Sequence, residues 1–403
     1  MNHLLVSYHT CPFEEPGVGL SGGMNVFLRG LLKGMSERGI RTDLLTRGKG
    51  KKVEATIPFP GVRILHLPCG WKEPPSRESA YDALPRFIRS ARELLAEGRT
   101  AYDAVSAHYW MSGVAVRGIL RGTPPRGASR LAMNQLVLMY HTLEARKISP
   151  TGVSGRKFSS IRKSEEERLA GESGRVVFLS RHDFTQTRKL LPAVTGKSSI
   201  VLPGVDDAFR RPPPREAARR RAGVPPGSFL FLLAARPDPD KNIDAAFRAF
   251  RALRAEAGAR VRLLVAGQTF PEAALPEGAA CAGAVPHAEM PSLFSAADAV
   301  LYPSTYESFG LVPLEAMAAG TPVVVPLGGY WGRRIRSGGG GLAYPPGTEY
   351  GLVEAMRLLC REKALRKRLG EEGKRTAAEF TWEKCTERWA RLLSRCSRPG
   401  SPR

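Results

Sequence analysis

"DAVLYPSTYESFGLVPLEAMAAGTPVVV", residues 298–325, reads as a strand, a loop, a helix and a second strand. The first apolar run ends at Tyr302 and the loop displays Glu307. A helix starts near Ser308 or Phe309 with Pro313 in its first turns, and Gly320 and Pro322 stop it before the next buried run. Both strands are almost wholly aliphatic rather than alternating, as parallel strands covered on both faces are.

The same unit recurs from end to end. Apolar runs "LLVSY", "TDLLT", "VRILHL", "DAVSAH", "LVLMYH" and "RVVFLS" alternate with amphipathic helical segments, and "SIVLP", "FLFLLAA", "RLLVAG" and the opening stretch repeat the series. Such alternation predicts an α/β, doubly wound architecture in two Rossmann-like domains. Pro and Gly accumulate in "LLPAVTGKSSIVLPGVDDAFRRPPPREAA", which sets the expected boundaries: a first domain over 1–195, a second over 196–376, a last helix over 377–396 and a frayed tail over 397–403. A chain of 403 residues exceeds one ordinary core, in keeping with two domains.

Composition narrows the function. No apolar run approaches the roughly 20 residues that span a bilayer, and the first strand carries no signal-peptide pattern, so a cytoplasmic protein is expected. The six cysteines are scattered without a C-x-x-C pair or zinc spacing and read as free thiols. The formal charge of +23 would attract phosphorylated ligands, anionic lipid or nucleic acid. With no aromatic-interleaved basic motif, no nucleic acid partner is expected, whereas peripheral contact with an anionic membrane and the oligomeric state stay open.

Three segments carry chemistry. In "GVGLSGGMN", residues 17–25, the Gly-x-Gly-x-x-Gly spacing suggests a dinucleotide site, but "TCPFEEP" separates it from the first strand, which a tight pyrophosphate turn does not allow. Asp43 lies about 20 residues on, as a ribose-binding acid would, yet at the wrong end of its strand. The loop suits either close approach of an anion to the helix "MNVFLRGLLKGMSERG", capped by Gly39, or a plain turn. After "FLFLLAA", Arg236 and Lys241 place two cations where a diphosphate would bind, one as a planar fork and one as a point charge. Glu307 and Glu315, at and just inside a helix mouth, either accept bonds from sugar hydroxyls or stabilise the helix dipole.

On these residues the chain resembles glycosyltransferase family 4, retaining nucleotide-sugar enzymes of GT-B fold. The likeness rests on Glu-x7-Glu in "ESFGLVPLEAMAAGTPVV", on Arg236 and Lys241, and on "VLPGVD" and "FTWE". Through "VSYHTCPFEEPGVGLSGGMNVF" and "AHYWMSG" it is most similar to the branch that joins N-acetylglucosamine to inositol phosphate in mycothiol synthesis, and it shares part of the pattern of sucrose-phosphate synthases. The resemblance implies two domains facing across a cleft, the final helix returning to the first domain, a UDP-sugar donor, a hydroxyl acceptor and no tightly bound cofactor; a divalent cation stays open.

It implies donor contacts from His9, Gly22, Gly23, Arg236, Lys241, Glu307, Ser308, Phe309, Gly310, Leu311 and Glu315, with Glu15 and Pro16 in the same loop. It implies acceptor contacts from Asn25, Tyr109, Thr142 and Arg162, joined by Lys72 or Arg77. His141, Glu307, Arg236 and Lys241 would act in transfer itself. His141 and His108 each also read as packing residues at a strand end, and Tyr109 as a core aromatic. An epimerase of the same fold and a non-catalytic anion-binding protein are the alternative functions.

Overall fold

The computed structural model describes residues 1–14, 21–70, 76–147, 153–267 and 270–397. Glu15, Pro16, Gly17, Gly19, Lys72 and the end of the tail lie outside the described residues. The chain divides into two compact units: the first holds residues 1–14, Met24–Leu202 and the last helix, Trp382–Cys396, and the second holds residues 21–23 with Pro203–Thr381.

In the first unit the strands are β1 (Asn2–Val6), β2 (Arg41–Gly48), β3 (Glu54–Phe59), β4 (Val62–Pro68), β5 (Ala104–His108), β6 (Val137–Met139), β7 (Arg175–Phe178) and β8 (Ser198–Ile200). They form one sheet in the order β3-β4-β2-β1-β5-β6-β7-β8. Every pairing is parallel except β3 with β4. In the second unit, β9 (Phe229–Ala234), β10 (Val261–Ala266), β11 (Ala279–Gly283), β12 (Ala299–Leu301), β13 (Val323–Pro326) and β14 (Gly341–Tyr344) form an all-parallel sheet in the order β11-β10-β9-β12-β13-β14. Numbered within the unit this is 3-2-1-4-5-6, the dinucleotide-fold order, whose direction reverses between β9 and β12. The first sheet reverses in the same way between β1 and β5. The expected doubly wound α/β class is what the chain adopts.

Three strands escaped the apolar pattern, and all three are sheet edges. β3 is mostly exposed, β11 is built from small residues with alternate exposure, and β14 begins on a glycine. An edge strand buries less side chain, so less of it is written in hydrophobicity. β8 corrects the reading of "SIVLP" as the opening of the second series: it pairs with β7, Val201 joins the first unit's core, and that unit runs to Leu202 instead of residue 195.

The last helix completes the first unit. Trp389, Leu392 and Leu393 pack with Phe27, Leu31 and Met35 of the helix Gly23–Glu37. Gly30 and Gly34, one turn apart, cut a notch for it: a Cβ at Gly30 would collide with the indole of Trp382, and one at Gly34 with the hydroxyl of Thr386. Gly39 follows that helix at φ +67°, the left-handed stop its position predicts. All six cysteines are thiols outside any disulfide. Among the described residues, no helix is long and apolar enough to cross a membrane.

Candidate functional site

In the second unit the expected donor residues gather at the carboxyl ends of β9 and β12, the two strands that flank the reversal of strand order. An open α/β sheet leaves its binding crevice there, because neighbouring loops depart to opposite faces. Two loops are stitched together at this point. The carbonyl of Asp240 accepts the amide of Thr305 at 2.8 Å and its hydroxyl at 3.2 Å. Asp238 caps the short turn Pro239–Lys241 by accepting the Asp240 amide at 3.1 Å, and Asn242 leaves it at φ +50°. The Asp238-Pro239-Asp240 spacing, which elsewhere can mark a metal-binding pair, thus serves the turn. Among the described residues, no group of three or more His, Cys, Asp or Glu could hold a metal ion.

The result is an ion pair between Lys241 Nζ and Glu307 Oε1, each side chain 24 % exposed and so open to a ligand. Tyr302 lies beneath them. Burial, and then the neighbouring Glu307 to which it is hydrogen-bonded, push its phenol well above the usual tyrosine range, which keeps it a neutral donor.

The helix begins at Leu311, later than the expected Ser308 or Phe309. Gly310 explains the delay: it sits at φ +89°, a Cβ there would lie 2.6 Å from the Tyr302 hydroxyl, and its carbonyl accepts the Trp331 indole N–H at 2.7 Å. No side chain caps this helix, so its first amides are available to an anion. Ser308 and Phe309 are buried, Phe309 among Tyr330, Trp331 and Phe380, so this segment offers a ligand its backbone before its side chains. Glu315, little more than a turn inside, is 6 % exposed and bonded to His287 Nε2 at 2.8 Å. A carboxylate only accepts, so Nε2 carries the proton. At the other side of Arg236, a Cβ on Gly22 would come within 3.2 Å of the guanidinium, and one on Gly23 within 3.6 Å of Leu311. At Gly22 the missing side chain is what gives the guanidinium its room, whereas the distance at Gly23 is an ordinary contact.

In the first unit, His9, His108, Tyr109 and His141 stand at the carboxyl ends of β1, β5 and β6. Tyr109 has φ +79° and ψ 152°, a costly conformation for a residue with a Cβ. Its amide bonds Met139 O at 2.8 Å, and its ring lies 4.4 Å from His9 and 4.9 Å below the Arg162 guanidinium. Arg162 is 1 % exposed and bonded to Glu166 at 2.7 Å, Glu144 at 3.0 Å and the Thr142 carbonyl at 2.9 Å. Burial works against its charge, yet Tyr109 and the two carboxylates more than offset that and raise its pKa. The carboxyl of Glu166 is pushed up by its own burial against the pull of Arg162. Arg162 is therefore a buried pedestal under Tyr109 and Thr142, already holding two anions.

Asn25 is likewise fully buried: it donates to Cys11 O at 2.6 Å and accepts from Thr10 at 3.0 Å, tying the loop after β1 to the first helix. His141, at φ +61°, joins its Nε2 to His108 Nδ1 at 3.0 Å. Burial lowers His141 to about 3 and His108 well below its ordinary value, so the pair is neutral at pH 7. Asp43 settles the dinucleotide question from its own side: it lies at the amino end of the sheet, paired with Arg63 at 2.5 Å.

Sequence reasoning missed His287, Tyr302, Glu144 and Glu166. Two signals were present. Glu315 falls on the apolar side of its helix and needs a polar partner, and Glu166 stands four residues from Arg162.

Residues 21–209 match the family described as Glycosyltransferase Family 4, and residues 214–376 match Glycosyl transferases group 1. A D-inositol 3-phosphate glycosyltransferase of Actinosynnema mirum is 31% identical over 95% of this chain and 94% of its own. A protein of the same name from Stackebrandtia nassauensis is 31% identical over 94% and 88%. Among solved structures, the sucrose-phosphate synthase of Thermosynechococcus elongatus superposes with a TM-score of 0.85 at 23% identity, over 98% of each chain, a likeness of fold.

Proposed function

The chain belongs to the family 4 glycosyltransferases, and from that premise we propose that it moves N-acetylglucosamine from its UDP-linked donor to a hydroxyl of inositol phosphate, with retention of configuration. The observation that carries this reading is the Lys241–Glu307 pair and an uncapped helix start, on the loops that follow β9 and β12, where the second sheet reverses its strand order and where Arg236 also leaves β9. Support for the substrates comes from the names of the relatives that match the chain over nearly all its length.

Transfer proceeds as follows. As the bond from the anomeric carbon to the diphosphate lengthens, negative charge grows on the leaving oxygens, and Arg236, Lys241 and the amides at the start of the helix stabilise it. Donor binding releases Lys241 from Glu307, so that the ammonium turns to phosphate and the carboxylate to sugar hydroxyls. Glu315, oriented by His287, accepts from the ribose hydroxyls. His141, held neutral, contacts the transferred sugar. Tyr109 and Thr142 receive the acceptor, with Arg162 and Asn25 fixing the backbone around them. Binding energy aligns the acceptor hydroxyl with the anomeric carbon; the new carbon–oxygen bond forms as the bond to the diphosphate breaks, and the hydroxyl proton passes to a leaving diphosphate oxygen.

The test is a thermal-shift screen of UDP-, GDP- and ADP-sugars, followed by mass analysis of the products with inositol phosphate. A stabilising shift with UDP-N-acetylglucosamine and a hexosaminyl-inositol phosphate product are expected. A rearranged or merely hydrolysed sugar nucleotide, with no label on the acceptor, would overturn the reading.

A further inference from the structure

The first unit contains a second, charged cavity at the opposite end of its sheet. It measures about 530 Å3 and is lined by Arg41, Arg63, Arg99 and Arg130 together with Asp43 and Asp103. Its place follows from the register: Asn2 opens β1, Arg41 opens β2, Arg63 is the second residue of β4, and Asp103 precedes β5. These are the amino ends of the strands. The loops bearing His9 and Tyr109 leave the carboxyl ends of β1 and β5, a strand length or about 15 Å away.

The charges in this cavity do not cancel. Asp43 is 6 % exposed and fully engaged: Arg63 donates to both its oxygens, at 2.7 and 2.5 Å, and the Tyr102 hydroxyl donates at 2.5 Å. That bond and burial raise the phenol of Tyr102 far above its usual range, so the tyrosine stays a donor and Asp43 an acceptor. Asp103 accepts the Asn2 amide at 2.9 Å and lies 3.8 Å from Arg130. Among the described residues, Arg41 and Arg99 have no carboxylate partner. Arg63 is thereby locked in place, with two further guanidiniums free to converge on a guest.

A polar, arginine-lined cavity of this size excludes an apolar ligand and suits a compact polyanion, since guanidinium forks match phosphate oxygens two at a time. We propose that this cavity is a second anion site, separate from the donor site, which takes a di- or polyphosphate through Arg41, Arg99, Arg130 and the anchored Arg63.

The same groups would take inorganic pyrophosphate or the phosphate tail of a nucleotide, and calorimetric titrations with pyrophosphate and with ADP separate these sources. Both are run on the full chain carrying Arg236→Ala and Lys241→Ala, so that the donor site does not compete. Saturable binding of at least one probe, with a rise in thermal midpoint, is expected. Adding Arg41→Ala and Arg99→Ala should weaken binding at least tenfold and abolish the rise, whereas adding Lys51→Ala and Lys52→Ala, which removes equal charge outside the cavity, should leave both unchanged. Tighter binding of pyrophosphate assigns the inorganic source, and tighter binding of ADP the nucleotide. Absence of binding by both probes, or an equal loss from the lysine and arginine pairs, overturns the proposal.

Discussion

Lys241 and Glu307 hold each other at the carboxyl ends of two adjacent strands, on loops joined through the Asp240 carbonyl and Thr305. Each charge thus keeps the other in place, and in the proposed mechanism a donor separates them, the cation turning to its phosphates and the anion to its sugar. Lys241→Ala should lower kcat by roughly 10²- to 10³-fold, the usual cost of losing one group that stabilises developing charge. Glu307→Gln should fall by a similar factor, and the double variant by less than the product of the two. Steady-state kinetics with far-UV circular dichroism as the folding control reads this; fully multiplicative losses would mean that the residues act independently.

His287 bonds Glu315 at 2.8 Å, and on the proposed function it would act through that carboxylate. His287→Ala leaves the carboxylate without its orienting bond, so the Michaelis constant for the donor should rise about tenfold while kcat changes little, the pattern of lost ground-state binding. His287→Gln, whose amide can donate in the same direction, should recover most of the affinity. A kcat effect with unchanged donor KM would contradict the assignment.

Burial lowers His3 and His141 to about 3, and His108 falls well below its ordinary value. All three folded-state values lie below the unfolded value near 6.5, so the unfolded chain binds protons that the folded chain refuses. Their contribution to stability is complete above about pH 6.5 and is lost as pH falls from there toward 3. Urea midpoints for the first unit should therefore decline through pH 6, 5 and 4. His3→Asn should flatten the decline; a midpoint indifferent to pH in this range would refute it.

Gly310→Ala would place a methyl against the Tyr302 hydroxyl at a residue with φ +89°. The expected result is a stability loss of about 1–3 kcal/mol together with weakened donor binding, because the helix start must move. Tyr302→Phe in the same chain should relieve the clash but not the backbone strain, and so restore only part of the loss.

How much of this was legible in the sequence depended on burial. Strands inside the sheets announce themselves as aliphatic runs, whereas edge strands β3, β11 and β14 carry charge, small residues or glycine and do not. Residues named for their chemistry at strand ends, such as Lys241 and Glu307, do occupy strand ends. Arg162 and Asn25 look the same in the sequence as ligand-binding residues, yet both are buried in bonds to the protein itself. For Asn25 nothing local distinguishes the two cases, because its partner Thr10 comes from another segment; for Arg162 the one local sign is Glu166, four residues on, while Glu144 comes from another element. The late helix start at Leu311 was hidden for a similar reason: the Gly310 carbonyl before it is held by Trp331, twenty-one residues beyond that glycine.

The notch at Gly30 and Gly34 has a consequence for biosynthesis. A ribosome makes the bed for the closing helix well before the helix itself, with the whole of the intervening lobe between them. The earlier lobe therefore waits with an open greasy groove while its neighbour matures, a natural moment for chaperone capture. Deleting Trp382–Cys396 should consequently yield aggregation out of proportion to the few residues removed.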